Sequence, residues 1–485
     1  MMLSALLTLA IAAPWLPRTH AIDNGIGRTP PMGWRSWNAF GGRISQAIMT
    51  EQAIAMAATT GTADGRSLLS YGYQHVGLDD NWQQCGKGPS KCVAERQILQ
   101  RTKALRCTAT AWILIVITWI AGINGSFHDA SGHPLINHQT FPDMAAFNQH
   151  AHSLGLKTGW YFNNCICNEA HSLAPDWPPQ MHGDTSAIAS LGWDGVKIDG
   201  CGPSHNLSEW ASLLNATGRP IMIENCHDST NGDGGRPGPP GFPRWQDGVP
   251  GGTLECPMNF WRVSQDINNH WASIMHNVNN TRAFQDLTHP IAQPGCWAYP
   301  DMLEVGRLAN ATEDRSHFGL WCVVSAPLIL GFDLTDAATL ARVWDVITNE
   351  EAIAVNQAWF GHPGRLVAEK PAEASTNTYA APPRNESDSS GVARRTPTPA
   401  SWQVWAKAMA PDGSKQAVML VNGGDIAQDV TVSLAELGLG GAKGGAHVRD
   451  IWARADGKDV PAGGAYTAVS LGAHDSVFLL LTAAT

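Results

Sequence analysis

Residues 194–202 read DGVKIDGCG. The apolar stretch around Val196 and Ile198 is too short for a helix, is bounded by glycine and ends in a carboxylate, which is the pattern of a buried strand. Seven further runs share this form: PMGWRSWN (31–38), YQHVGLDDNW (73–82), LKTGWYFNN (156–164), RPIMIENC (219–226), NFWRVSQDI (259–267), GCWAYPDMLEVG (295–306) and APLILGFDL (326–334). Longer stretches connect them, and FPDMAAFNQHAHSLG (141–155) spaces its apolar residues as a helix does. Eight strands alternating with helices predict an α/β fold, a (β/α)8 TIM barrel, in which chemistry sits at the C-terminal strand ends. Those ends carry Trp37, Asp80, Tyr161, Asp199, Cys226, Asp266, Asp301 and Asp333.

Beyond residue 400 the character changes. WQVWAKAMA, KQAVMLVNGG, QDVTVSLAEL, HVRDIWAR, AYTAVSLG and DSVFLLLTA are short, alternating and separated by Gly or Asp turns. They predict a C-terminal antiparallel β-sandwich domain. The division read from the sequence is a signal peptide at 1–21, a barrel at 22–365, a loop or linker at 366–400 and the β-domain at 401–485. The signal peptide rests on the apolar run Leu3–Ala13 followed by Thr19-His20-Ala21. Secretion agrees with six sequons, at Asn124, Asn206, Asn215, Asn279, Asn310 and Asn385. It also means that most of the ten cysteines should pair. Residues 229–252 are rich in Gly and Pro and read as a long loop after the fifth strand.

The net charge of −10 over 485 residues argues against nucleic acid as a partner. No apolar run reaches the ~20 residues that span a bilayer. Nucleophile-elbow, H-E-x-x-H and Walker motifs are missing. Cys165 and Cys167 could form half a metal site, but no second pair matches their spacing, and disulfides are the expected fate. What remains is a rim of carboxylates, Asp79, Asp80, Asp199, Asp266 and Asp301, mixed with Trp37, Tyr161, Lys197 and Arg262. Single strand-end carboxylates are often only caps. Two that flank a bond beside aromatic walls are what glycoside hydrolysis needs. Lys197 shares a strand face with Asp199 and should favour its ionised form. The 20 Trp against 6 Tyr fit either sugar platforms or core packing.

Seven ordered blocks carry a resemblance: TPPMGWRSWNAFGG, YGYQHVGLDDNW, GLKTGWYFNNCIC, GWDGVKIDGCG, NFWRVSQDINNHW, PGCWAYPDMLEVG and SHFGLWCVVSAPLILGFDL. Together they resemble glycoside hydrolase family 27, the α-galactosidases (melibiases) and α-N-acetylgalactosaminidases, from about Asp23 to Gly364 and more loosely through the β-domain. The resemblance implies hydrolysis of terminal α-D-galactosides with retention of configuration, through a covalent glycosyl-enzyme. Asp199 in the K-x-D-G-C block would be the nucleophile, and Asp266 in W-R-x-x-x-D-I the acid/base. Asp79 and Asp80 would bind sugar hydroxyls, Trp37 would wall the pocket, and Tyr161, Lys197, Arg262 and Asp301 would line it. No metal or organic cofactor is implied. The compartment would be secreted or lysosomal/vacuolar, and a homodimer is compatible with the sequence. The rival class is a non-catalytic carbohydrate-binding protein on a hydrolase scaffold, which would need a lost carboxylate.

The sequence departs from the family pattern in two places. Where many members have C-E-W after the fifth strand, this chain has Cys226-His227-Asp228, so His227 falls at the position of a Glu that contacts the sugar 2-hydroxyl. Substrate choice therefore stays open towards α-N-acetylgalactosaminides and β-L-arabinopyranosides. The family implies a disulfide from Cys201 to Cys167 or Cys165. A bridge from Cys226 to Cys256 is the second expectation, because the two flank the Gly/Pro-rich loop. Residues 87–123, including AWILIVITWI, interrupt the pattern as an apolar insert. The insert reads as translated non-coding sequence from an imperfect gene model, or as a genuine insertion forming a hydrophobic surface.

Overall fold

The computed structural model describes residues 20–21, 24–85, 126–129, 131–163, 165–167, 178–200, 204, 206–226, 255–285, 292–371 and 400–485. The leader, the 87–123 insert, the 229–252 loop, Cys201, His227, Asn124 and Asn385 lie outside them. All eight predicted runs contain a strand: β1 Met32–Arg35, β2 His75–Gly77, β3 Lys157–Phe162, β4 Gly195–Ile198, β5 Met222–Asn225, β6 Phe260–Arg262, β7 Trp297–Tyr299 and β8 Leu328–Leu330. They form one parallel sheet in the order β8-β1-β2-β3-β4-β5-β6-β7. A parallel bridge from Leu303 to Leu330 links its two edges, so the sheet curls into a barrel. The strands are three to six residues long and mostly buried, as parallel strands covered on both faces must be.

Helices cover the outside: α1 Gln46–Ala57, α2 Met144–Ser153, α3 Pro178–Leu191, α4 Leu207–Ala216, α5 Trp271–Asn280, α6 Ala311–Val323, α7 Ala337–Ile347 and α8 Glu350–Gln357. The sequence marks several starts. Asp143, Asn206 and Asn310 each accept a hydrogen bond from a first-turn N–H of α2, α4 and α6, at 2.9, 3.2 and 2.9 Å. Among the expected sequons, Asn215 and Asn310 are exposed. The Asn279 carboxamide is engaged, accepting from Gln403 Nε2 and donating to the Met275 carbonyl. Most of the described tryptophans are core: Trp34, Trp82, Trp160, Trp193, Trp210, Trp261, Trp297, Trp321 and Trp405 are each under 2% exposed.

The second domain starts earlier than its sequence predicts. Residues 366–371, expected as linker, belong to a strand, β9 Arg365–Pro371, which pairs antiparallel with β10 Ala400–Ala408. β11 Lys415–Asn422, β12 Gln428–Ser433, β13 Ala446–Asp450, β14 Ala455–Asp456, β15 Ala465–Leu471 and β16 Ser476–Ala483 complete it. The large sheet runs β9-β10-β11-β16-β13-β14, and β12 pairs with β15 in a second, small sheet. Alternation divides the faces. Val404, Val418, Leu420, Leu479 and Leu481 pack with Val430 and Val432 of the small sheet in the sandwich core. Trp405, Met419 and Phe478 join the barrel's core. Gly319 of α6 permits this approach, since a Cβ there would lie 2.7 Å from Met419 Cε.

Inside the barrel the tightest constraint is Gly33 on β1. A Cβ at this position would stand 2.2 Å from the His75 carbonyl oxygen, a backbone atom that cannot rotate away. Gly33→Ala should therefore force β1 and β2 apart and lower stability by about 1–3 kcal/mol, as overpacking does. Urea unfolding of the two proteins checks this; an unchanged midpoint would contradict the packing.

Candidate active site

The C-terminal ends of β1 to β7 converge on one cluster of charge. Asp79, two residues beyond β2, is 2% exposed. Its backbone N–H donates to Ser36 Oγ at 3.0 Å. Lys197 Nζ donates to its Oδ2 at 2.8 Å, and Arg35 Nη1 stands 3.6 Å from the same oxygen. Burial pushes the Asp79 carboxyl up, but the two cations outweigh it and hold the group below the usual carboxylate range. Among the described residues no cation pairs with Asp80. Burial raises its pKa to about 6, against opposing hydrogen bonds from Gln83 and the Asn81 N–H. Its Oδ2 also accepts from the Cys165 N–H at 3.3 Å.

Tyr161 and Lys197 are register partners on β3 and β4, with the ammonium 5.3 Å from the ring centre. Asp199 follows β4 directly and donates its N–H to the Phe162 carbonyl at 3.0 Å. Its carboxyl is raised by burial, opposed by Lys197 and by a hydrogen bond from Tyr161. The expectation for Lys197 needs correction here. Its ammonium is bonded to Asp79 and acts on Asp199 only through space, so burial decides the direction.

β6 contributes Arg262, 4% exposed, whose Nη1 donates to Asp266 Oδ1 at 2.6 Å and to Cys226 Sγ at 3.2 Å. The Asp266 side chain is 91% exposed at the mouth of the site. The Arg262 guanidinium beside it holds its carboxyl below the usual range. Asp301, after β7, has a left-handed φ of 82°. Its Oδ2 accepts the Ile267 N–H at 2.9 Å and lies 3.5 Å from Arg262. Asp301 thus positions both Arg262 and the backbone next to Asp266. Trp37 is 43% exposed on a short helical turn, Trp37–Phe40. That turn is tied down through Asn38, which bonds Glu304 and Arg307, while Arg307 Nε donates to Glu304 Oε2 at 2.7 Å. Asp333 stays outside the cluster, accepting from Gln52 and Thr335.

The disulfide expectations are overturned in part. Cys167 bonds Cys85, which joins the loops after β2 and β3, and not Cys201. Cys256 bonds Cys296, which leaves Cys226 a free, buried thiol, because its side chain points into the barrel towards Arg262. Cys165 is disulfide-bonded as well, so neither thiol of the 165/167 pair is free for metal. The alternative Cys165–Cys201 pairing lies outside the described residues.

Three contributors were not singled out from the sequence: Arg35, Ser36 and Glu224. Arg35 donates to Glu224 across the barrel, and both are buried. The signal was present, since a charge within a strand covered on both faces must find a partner inside.

Comparison with known proteins agrees with this arrangement. The family model described as alpha galactosidase A matches residues 83–358, and that of the alpha galactosidase C-terminal beta sandwich domain matches 399–481. An alpha-galactosidase from Cyamopsis tetragonoloba is 28% identical over 456 residues, covering 92% of this chain and 85% of the relative. A mouse (Mus musculus) alpha-N-acetylgalactosaminidase is 28% identical over 385 residues, 76% of each chain. The crystal structure of alpha-galactosidase I from Mortierella vinacea shares the fold with a TM-score of 0.65 at 22% identity, covering 96% of this chain and 100% of the other. A barrel whose strand ends gather paired carboxylates, a β-sandwich behind it and family models matching both domains make this chain a member of glycoside hydrolase family 27.

Proposed function

We propose that the protein is an exo-acting α-galactosidase that retains anomeric configuration. The observation that carries this reading is the separation of roles among the carboxylates. Asp79 is ion-paired and fixed, Asp80 is buried, Asp199 feels both Tyr161 and Lys197, and Asp266 stands at the mouth on Arg262. Asp79 and Asp80 would accept hydrogen bonds from sugar hydroxyls. Asp199 would attack the anomeric carbon while Asp266 gives a proton to the leaving oxygen. Asp266 would then take a proton from water as that water releases the sugar from Asp199. The similarity to curated α-galactosidases supports the substrate class, and the N-acetylgalactosaminidase relative keeps that sugar as the second reading. A secreted or lysosomal/vacuolar setting fits the leader-like N-terminus.

The first step needs Asp199 ionised and Asp266 protonated, whereas the free site favours the reverse. Ester formation removes the Asp199 charge, and Arg262 then favours the ionised Asp266 that the second step uses as base. The productive form of the free enzyme is therefore a minority tautomer of a singly protonated pair. That state exists only between the lowered carboxyl of Asp266 and the raised one of Asp199. kcat/KM should trace a bell with one limb on each side of the ordinary carboxylate value of 3.8. A profile with both limbs on the same side of that value would contradict this assignment.

Release of p-nitrophenol from the aryl α-galactoside, α-N-acetylgalactosaminide and β-L-arabinopyranoside tests the substrate class. The α-galactoside should be cleaved fastest. Asp266→Asn should slow galacto-oligosaccharide turnover by roughly 10²–10⁴-fold while sparing the activated aryl substrate far more. Equal losses on both, or no hydrolysis of the α-galactoside by wild type, would contradict the reading.

A further inference from the structure

Four strands leave an unusual space inside the barrel. Gly77, Gly159 and Gly195 are register neighbours on β2, β3 and β4, next to Arg35 on β1. A Cβ on Gly77 would meet Arg35 Cγ and Cζ at 3.5 Å, ordinary van der Waals contact, so the arginine side chain packs against the first of these glycines. A cavity of ≈ 40 Å³ adjoins them, lined in part by Arg35, His75 and Glu224. Barrels of this type normally fill such layers with branched aliphatic side chains. Here the layer holds an ion pair, Arg35 with Glu224, 8% and 2% exposed. A buried pair is seldom more stabilising than the apolar residues that could replace it. Stability therefore does not explain the pair, but its neighbour does. The other arm of the guanidinium, Nη1, lies 3.6 Å from Asp79 Oδ2, on the oxygen that Lys197 already holds.

We propose that Arg35, neutralised by Glu224, is a positioning residue that seats Asp79 from below as a hydrogen-bond acceptor for a sugar hydroxyl. The proposal rests on the reading above that Asp79 binds sugar. Asp79 is buried, so without Arg35 its negative charge would depend on Lys197 alone. Lys197 also acts on Asp199 through space. Glu224 cancels the added positive charge, so the floor carries no net charge of its own.

The test uses full-length protein with Arg35→Met and Glu224→Leu combined, because removing the arginine alone would leave a buried unpaired carboxylate. Arg35→Lys is the companion variant, since a lysine keeps the charge but cannot reach Glu224 and Asp79 together. In the double variant, KM for p-nitrophenyl α-galactoside and Ki for galactose should both rise roughly tenfold, because Asp79 loses one of its two cations, with kcat changed far less. Arg35→Lys should fall between it and wild type. Unchanged KM and Ki in a folded double variant would overturn the proposal. If the double variant does not fold, Arg35→Lys decides, and wild-type KM and Ki there would overturn it equally. If wild type cleaves no member of the aryl panel, the functional reading fails separately. Carboxyl ¹³C NMR, with Asp79→Asn identifying the signal, then reads the seat directly. The Asp79 titration should move to higher pH in the variant that loses the arm, and an unmoved titration would overturn the proposal.

Discussion

Three cations are buried where the parallel strands end, and the rest of the site is arranged around satisfying them. Arg35, Lys197 and Arg262 are each no more than 8% exposed. Moving a charge out of water costs several kcal/mol unless a partner and hydrogen bonds replace the lost hydration. Glu224, Asp79 and Asp301 supply those partners, each from a different strand end. The pairing locks β1, β2, β4, β5, β6 and β7 into one electrostatic unit and leaves Asp80, Asp199 and Asp266 as the carboxylates in excess, the last sharing Arg262 with Asp301. A site with more carboxylates than cations has one group that titrates readily, which acid/base chemistry requires.

Backbone geometry supports the same end. Asp301 adopts a left-handed conformation that turns its carboxylate back onto the Ile267 N–H and Arg262. Asn163, also left-handed, accepts from the Ser204 N–H and donates to the Asp199 carbonyl. The Cys85–Cys167 disulfide holds the loops after β2 and β3 together beside Asp80 and Cys165. The carboxylates proposed as catalytic are thus fixed by contacts between neighbouring loops, as well as by the strands beneath them.

The barrel was legible because its signal is local: a three- to six-residue apolar run ending in a polar residue recurs eight times, and every run contains a strand. The carboxylate rim was legible for the same reason. Arg35 and Glu224 were not picked out, since their partnership spans 189 residues and reads, one residue at a time, as ordinary strand-edge charge. Disulfide partners are likewise set by which loops meet in space, so flanking one loop was a poor guide for Cys226 and Cys256. The strand at 365–371 was missed because it is half-exposed and polar at its end, which makes LVAEKP look like linker. Lys197 was placed on the correct face, but its choice of Asp79 over Asp199 depends on where β2 ends.

The central claim is that Asp199 becomes covalently glycosylated during turnover. Incubation with a slow fluorinated α-galactosyl fluoride, followed by proteolysis and peptide mass spectrometry, tests it directly. The account predicts a single glycosyl adduct on the peptide spanning Lys197 to Gly200, localised by fragmentation to Asp199. An adduct on another carboxylate, or turnover of the reagent with no covalent species, would contradict it.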